Sequence, residues 1–313
     1  MPAEVENLFY VSNEENGRFV PWHGLGTAVS EAPTSAEAIK LAGLDWDVVP
    51  KPVDIEGRII PNTYGNERSS DKAVLGIVTG RYKIVQNRDA FDFTDNLISG
   101  DVKYETAGSL KGGKRIWLLA RLPEKKILDD EFIPYICFTN SHDGYGSVKA
   151  CMTPTRVVCN NTLNLALETA KRTWSTKHIG NLLAKMEEAK KALEMADEYM
   201  DALDKKANEL ANITIDTDFI NKVIKEIFPL TEDMSDRQKN NIISNRTGFI
   251  NCYFAPDIKK FQNTAYGLVN AASDFQTHRA AQRATQTYQE NIFNAVLDGN
   301  NIIDKVYNLV SAR

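Results

Sequence analysis

The sequence predicts an α+β protein whose strand-rich first half gives way to a helical second half at Cys159-Asn160-Asn161-Thr162. Three observations carry this. Apolar runs of strand length, set apart by Gly- and Asp-containing turns, recur from Val74 to Met152. From Asn181 to Leu210 the positions Leu182, Met186, Ala189, Leu193, Ala196, Met200, Leu203, Ala207 and Leu210 alternate at spacings of four and three, a heptad seam. Beyond Pro229 the pattern stays helical with breaks. The expected organisation is a strand-rich core domain over 1–178 and a helical region over 179–313, packed on that core or on a neighbouring subunit.

The elements follow in order. Residues 1 to 70, punctuated by Pro21, Pro33, Pro50, Pro52 and Pro61, read as short strands and loops around one short helix. Thr34 or Ser35 caps that helix and Gly43 ends it. Trp46–Pro50 and Val74–Val78 are strands, and Asn87-Arg88-Asp89 opens a helix. Lys103–Ala107 and Ile116–Leu122 flank a hairpin turn, Lys111-Gly112-Gly113-Lys114, in which glycine supplies positive φ. Phe132–Thr139 and Gly146–Met152 complete an antiparallel meander around Ser141-His142-Asp143-Gly144. Asn160 or Asn161 then caps a helix through Leu167. The heptad helix follows, then helices over 218–228, 235–244, 263–297 and 300–310.

Composition narrows the function. Charged residues make up 25% and the formal net charge is −5, so a partner nucleic acid must meet locally gathered basic groups. The acidic N-terminus lacks the apolar core of a secretion signal, and no apolar run is long enough to span a membrane. A cytoplasmic location is therefore expected. The 4 cysteines, Cys137, Cys151, Cys159 and Cys252, form no C-x2-C pair and read as reduced packing residues.

No catalytic set stands out, and no enzyme activity, metal or cofactor is expected. Cys159 before a helix, with His142 or His178 as base and Asp143 as orienter, is the nearest approach to one. None of the 4 histidines, His23, His142, His178 and His278, is paired at i,i+3 or i,i+4 with another ligand of convincing type. Leu110–Arg115 lacks the spacing of a phosphate-binding loop, and the two glycines of Trp22–Thr27 lack a dinucleotide-binding unit around them.

Charge distribution says more. Lys103–His178 holds 12 Lys or Arg against 7 Asp or Glu, net +5, so the rest of the chain carries −10 of the total −5. Lys111, Lys114 and Arg115 crowd the hairpin tip. Lys149 and Arg156 flank Cys151–Pro154, while Arg172 and Lys177 surround Trp174. Cations beside an aromatic ring suit a single strand, whose phosphates meet Lys and Arg and whose bases stack.

Five segments resemble the phage/plasmid-like protein family, catalogued as domain of unknown function 932. They are Trp22–Gly26, Gly80–Asn87, Asn140–Gly144, Thr155–Leu163, and Thr264–Ala271 with Asp274 and His278. The order of elements is similar to the β-β-β-α core of single-strand annealing proteins of the RecT, Red-beta and Erf kind. That similarity implies homo-oligomers holding single-stranded DNA between hairpin and helix. The expectation is a mobile-element protein that binds or anneals single-stranded DNA. Lys114 and Arg115 would contact phosphate, Lys149 and Arg156 would line a groove, Arg172 and Lys177 would add charge, and Trp174 would stack. The alternative is an interaction protein that binds a host protein and inhibits a defence system.

Overall fold

The computed structural model describes residues 9–11, 27–29, 34–95, 103–156, 161–162, 173–181, 191–278 and 302–312. Antiparallel strands fill the first half and helices the second, as the α+β class requires. The chain divides into two compact units. One comprises Met1–Pro123, Tyr135–Met152 and Arg172–Asp197; the other comprises Glu124–Pro134, Thr153–Lys171 and Glu198–Arg313.

In the first unit, strands β6 (Lys103–Leu110) and β7 (Arg115–Arg121) form the expected hairpin. Lys111, Gly112 and Gly113 at its tip all take positive φ, 56°, 66° and 86°. Left-handed backbone suits glycine, so the Gly-Gly pair fixes where the chain turns. The interior of β7, Ile116–Ala120, is buried on both faces. That explains why it is a continuous apolar run and does not alternate. Next in the sheet come β9 (Asp130–Ser141) and β10 (Val148–Arg156), and β12 (Thr173–Thr176) pairs with the start of β10. Short strands β1 (Phe9–Val11) and β2 (Thr27–Val29) extend the sheet beyond β6.

A second sheet is an antiparallel meander of β3 (Val48–Ile55), β4 (Arg58–Arg68) and β5 (Val74–Thr79). Glu56 and Gly57, both at positive φ, make the tight turn between β3 and β4. Pairing with β5 starts only at Thr63, so residues 53–62 form a two-stranded arm. Ile55 and Ile59 on this arm are 64% and 68% exposed. The segment is more regular than the expected short strands and loops, because β4 runs through Pro61 for 11 residues. Helix α1 (Ser35–Leu41) begins in a capping box, in which Glu37 N donates to Thr34 Oγ1 and Thr34 N donates to Glu37 Oε2. It lies against β6 and against helix α2 (Asn87–Asp95).

In the second unit, β8 (Lys125–Ile127) pairs with the start of β9, and β11 (Asn161–Thr162) pairs with the end of β10. This corrects one expectation. Asn161 and Thr162 do not cap a helix at that point; they return as a strand, with Thr155 opposite Thr162 and Arg156 opposite Asn161. Cys159 and Asn160 lie outside the described residues, as does 163–172. Helix α3 (Lys191–Ala211) carries the described heptad seam, and Ala196, Met200, Leu203, Ala207 and Leu210 are all buried within the single chain. Leu182, Met186 and Ala189 lie outside the described residues.

Helix α4 (Thr217–Ile227) is capped at its start by Asp216, whose carboxylate accepts from Phe219 N at 2.8 Å. Helix α5 (Asp236–Tyr253) opens on a Ser235–Gln238 capping box and runs well past Ser244. Its Arg246 closes the end of α4, donating from Nε and Nη2 to Phe228 O at 3.0 and 2.7 Å. A 3-10 turn (Pro256–Phe261) leads to helix α6 (Ala265–His278), which packs on β11, α5 and helix α7 (Ile302–Ser311). Phe228, Phe249 and Phe275 meet at ring-centroid distances of 5.4 to 6.1 Å. Cys137, Cys151 and Cys252 are free thiols, the first two buried. Among the described residues no helix is long and apolar enough to cross a membrane.

Gly267 sits where a side chain does not fit, because a Cβ there would run into the Phe261 carbonyl. Gly267→Ala is expected to destabilise the protein by about 1–3 kcal/mol, the usual cost of overpacking. A lowered urea midpoint with unchanged slope would show it.

Candidate functional site at one end of the main sheet

Two of the sequence segments singled out above, Gly80–Asn87 and Asn140–Gly144, fold against each other in the first unit. Residues 82–86 have no regular structure of their own. Side chains hold them in place instead. The Gln86 amide forms a two-way bridge to the Val48 backbone, accepting from its N–H at 2.8 Å and donating to its carbonyl at 2.9 Å. Asn140 Nδ2 donates to Val85 O at 2.9 Å, and Tyr82 OH donates to Ser141 O at 2.6 Å. Tyr82 also stacks on His178, with ring centroids 4.6 Å apart and planes 14° apart.

His142 is at the centre and 0% exposed. Its backbone N–H donates to Lys114 O at 2.8 Å, and its carbonyl accepts from Asn66 Nδ2 at 2.8 Å. Its Nε2 lies 2.8 Å from Asn87 Oδ1. Asn87 Nδ2 donates to Leu44 O, which orients the amide so that its oxygen faces the imidazole. His142 Nε2 therefore carries the proton and Nδ1 is bare. In the same way, His178 Nδ1 donates to Lys83 O at 3.0 Å, leaving Nε2 bare. Neither bare nitrogen has a hydrogen-bond partner. Trp46 meets the His142 ring edge-on at 5.4 Å, and the Arg68 guanidinium, held by Asp71, lies over Trp46 at 5.4 Å.

Burial and the nearby His178 push His142 down to about 3, against a smaller opposing pull from Asp143. Burial also lowers His178, outweighing the Lys83 carbonyl and the Asp143 charge. Both rings are thus neutral. Burial alone would raise the Asp143 carboxyl. Hydrogen bonds from Ser141 Oγ, Tyr145 N and Gly146 N, at 2.6, 2.8 and 3.0 Å, and the Arg115 charge bring it below its ordinary value. Burial, then the Asp143 charge, raises Tyr82.

Of the relay that Cys159, His142 or His178, and Asp143 suggest, Cys159 lies outside the described residues. His142 Nε2 and His178 Nδ1 are engaged by Asn87 and Lys83, and Asp143 Oδ1 accepts three bonds within its own turn. Among the described residues no group of three His, Cys, Asp or Glu side chains is placed to hold a metal ion.

Around this buried centre, strand register gathers basic residues at one end of the sheet. Arg115 starts β7 opposite Ser141 at the end of β9, and the turn after Ser141 leads to Lys149 near the start of β10. Val148 pairs with Thr176, so Lys177 lies beside the same turn. The hairpin tip with Lys111 and Lys114 adjoins it through the Lys114 carbonyl. Arg81 and Lys83, which the charge census passed over because they precede Lys103, are exposed there too, tied in by the Lys83–His178 bonds. Lys111, Lys114 and Lys177 are exposed; Arg115 and Lys149 are half-buried. Among the described residues Lys83, Lys114 and Lys177 form no salt bridge. Trp174 is half-buried in β12 opposite Ala150. Arg156 is not in this group, since it pairs at the far end of β10 and belongs to the second unit. Arg172 lies outside the described residues.

Neutral, buried imidazoles make stability depend on pH. A histidine whose folded-state pKa is depressed stabilises the fold above its ordinary value of about 6.5 and loses that contribution as pH falls below it. By pH 5 the cost from His142 alone is about 2 kcal/mol. The melting temperature is expected to fall between pH 7 and pH 5. His142→Gln, which takes up no proton, should flatten that fall even though it lowers the starting value.

A family profile described as Domain of unknown function (DUF932) matches residues 74–297. No curated protein and no solved structure matches the chain. The match covers more than half of the sequence and includes both segments that build the histidine cluster. The chain belongs to the DUF932 family.

Proposed function

We propose that this protein binds single-stranded DNA at the basic end of its main sheet and acts as a phage- or plasmid-borne annealing protein that assembles into homo-oligomers. The observation that carries the reading is the register. It brings Lys111, Lys114, Arg115, Lys149 and Lys177 to one sheet end, together with Arg81 and Lys83, in a chain of net charge −5. A local cationic rim on an acidic protein is what backbone-directed binding needs, and the polar cluster beneath it keeps the rim in a fixed shape.

Fluorescence anisotropy with labelled oligo-dT tests this. Binding is expected at low salt and should weaken steeply as salt rises, because each neutralised phosphate releases counterions. Lys114→Glu with Lys177→Glu should lower affinity by about tenfold or more and flatten the salt slope by about one to two. No binding at low salt would end the reading.

A second reading has its own observation. Ile55 and Ile59 stand exposed on the β3–β4 arm, where they suit contact with a host protein. A host partner that survives nuclease treatment and is lost on Ile55→Asp with Ile59→Asp would favour a defence-inhibiting role.

A further inference from the structure

The β9–β10 turn presents an aromatic ring that the sequence patterns did not single out. Tyr145 is 95% exposed. A tyrosine ring ordinarily contributes by being buried, so one held in water packs nothing in this chain. The turn that bears it is nevertheless heavily fixed. The Asp143 carboxylate accepts from Ser141 Oγ, from Tyr145 N itself and from Gly146 N. Beneath it, Gly76 of β5 lies so close that a Cβ would stand 2.5 Å from the Asp143 backbone. Gly144, at φ 83°, faces Val78 and the Ile77 carbonyl, and Gly146 closes onto the Ser141 side chain. Between two glycines pressed against the protein, the one large side chain points outward. Basic residues lie around the Asp143 carboxylate of this turn. Arg115 acts on the Asp143 carboxylate, Lys114 bonds the turn through its carbonyl, and Lys149 and Lys177 flank its far side by register.

We propose that Tyr145 is the residue on which an unpaired base of the bound strand stacks, with Lys114, Arg115, Lys149 and Lys177 engaging the phosphates on either side. Trp174 is the weaker candidate for this role, because it is half-buried in β12. A ring carried on a backbone that is fixed before the strand arrives has less freedom to lose on binding, which favours affinity. Stacking of this kind accepts any base and requires single strands, since a base within a duplex already has both faces covered. The inference rests on the single-stranded DNA reading above and sharpens it to one contact.

The test uses the full chain, measuring anisotropy on a labelled dT oligomer and on an abasic oligomer of equal length and charge. Tyr145→Ala is expected to weaken dT binding by about tenfold, within the range seen when stacking aromatics are removed. It should leave abasic binding and the salt slope unchanged. Tyr145→Trp should retain dT affinity, with quenching beyond that of the wild type on dT and not on the abasic strand. Unchanged dT binding by Tyr145→Ala, or equal weakening on both oligomers, overturns the stacking role while the basic rim stands. Failure of the wild type to bind either oligomer overturns the rim as well.

Discussion

A neutral imidazole sealed from water is the constraint on which the first unit depends. His142 joins three parts of the chain that are far apart in sequence. Its carbonyl receives Asn66 of β4, its ring faces Asn87 at the start of α2, and its amide reaches the tip of the β6–β7 hairpin at Lys114. Each of these partners is itself buried or committed elsewhere. Asn87 must turn its amide nitrogen to Leu44 for its oxygen to meet the ring. A buried polar group that loses its partner costs more than the bond was worth, so such a network is held all together or not at all. The irregular segment 82–86 is fixed by the same means, through side-chain amides that replace the ladder a strand would have supplied.

The resemblance segments have a physical reading once the fold is known. Gly80–Asn87 and Asn140–Gly144 meet in the first unit, where asparagine, glutamine and tyrosine side chains stitch them together. Thr155–Leu163 and Thr264–Ala271 belong to the second unit, where α6 packs on β11. Glycines within them do steric work, as Gly267 does beneath the Phe261 carbonyl. The family match spans these four segments, whereas Trp22–Gly26 and the β3–β4 arm precede it.

Much of this was legible in the sequence. The Lys111-Gly112-Gly113-Lys114 turn, the Thr34–Glu37 cap, the seam of α3 and the meander after Lys103 all follow from local patterns that tertiary contacts did not override. Asn161-Thr162 misled because the residue types that cap helices also tolerate short strand returns. The Glu56-Gly57 turn carried a hairpin signal that the neighbouring prolines masked. The histidine cluster was out of reach: His142 and His178 were visible as residues, but nothing local ties position 142 to positions 66 and 87. Tyr145 was equally hidden, because only exposure distinguishes it from a core tyrosine.

The prolines of β3 have a consequence for how the molecule behaves in company. β3 is the edge of its sheet, and Pro50 and Pro52 are two residues apart. Their nitrogens therefore point to the same side, and β3 keeps its pairing with β4, so that side is the open one. An edge stripped of alternate amide donors is a poor template for another strand. The β3 border of the sheet, up to the base of the 53–62 arm, thus resists growth into larger sheets. Growth by backbone pairing is thereby left to the arm itself, where Pro61 is the one residue without an amide donor.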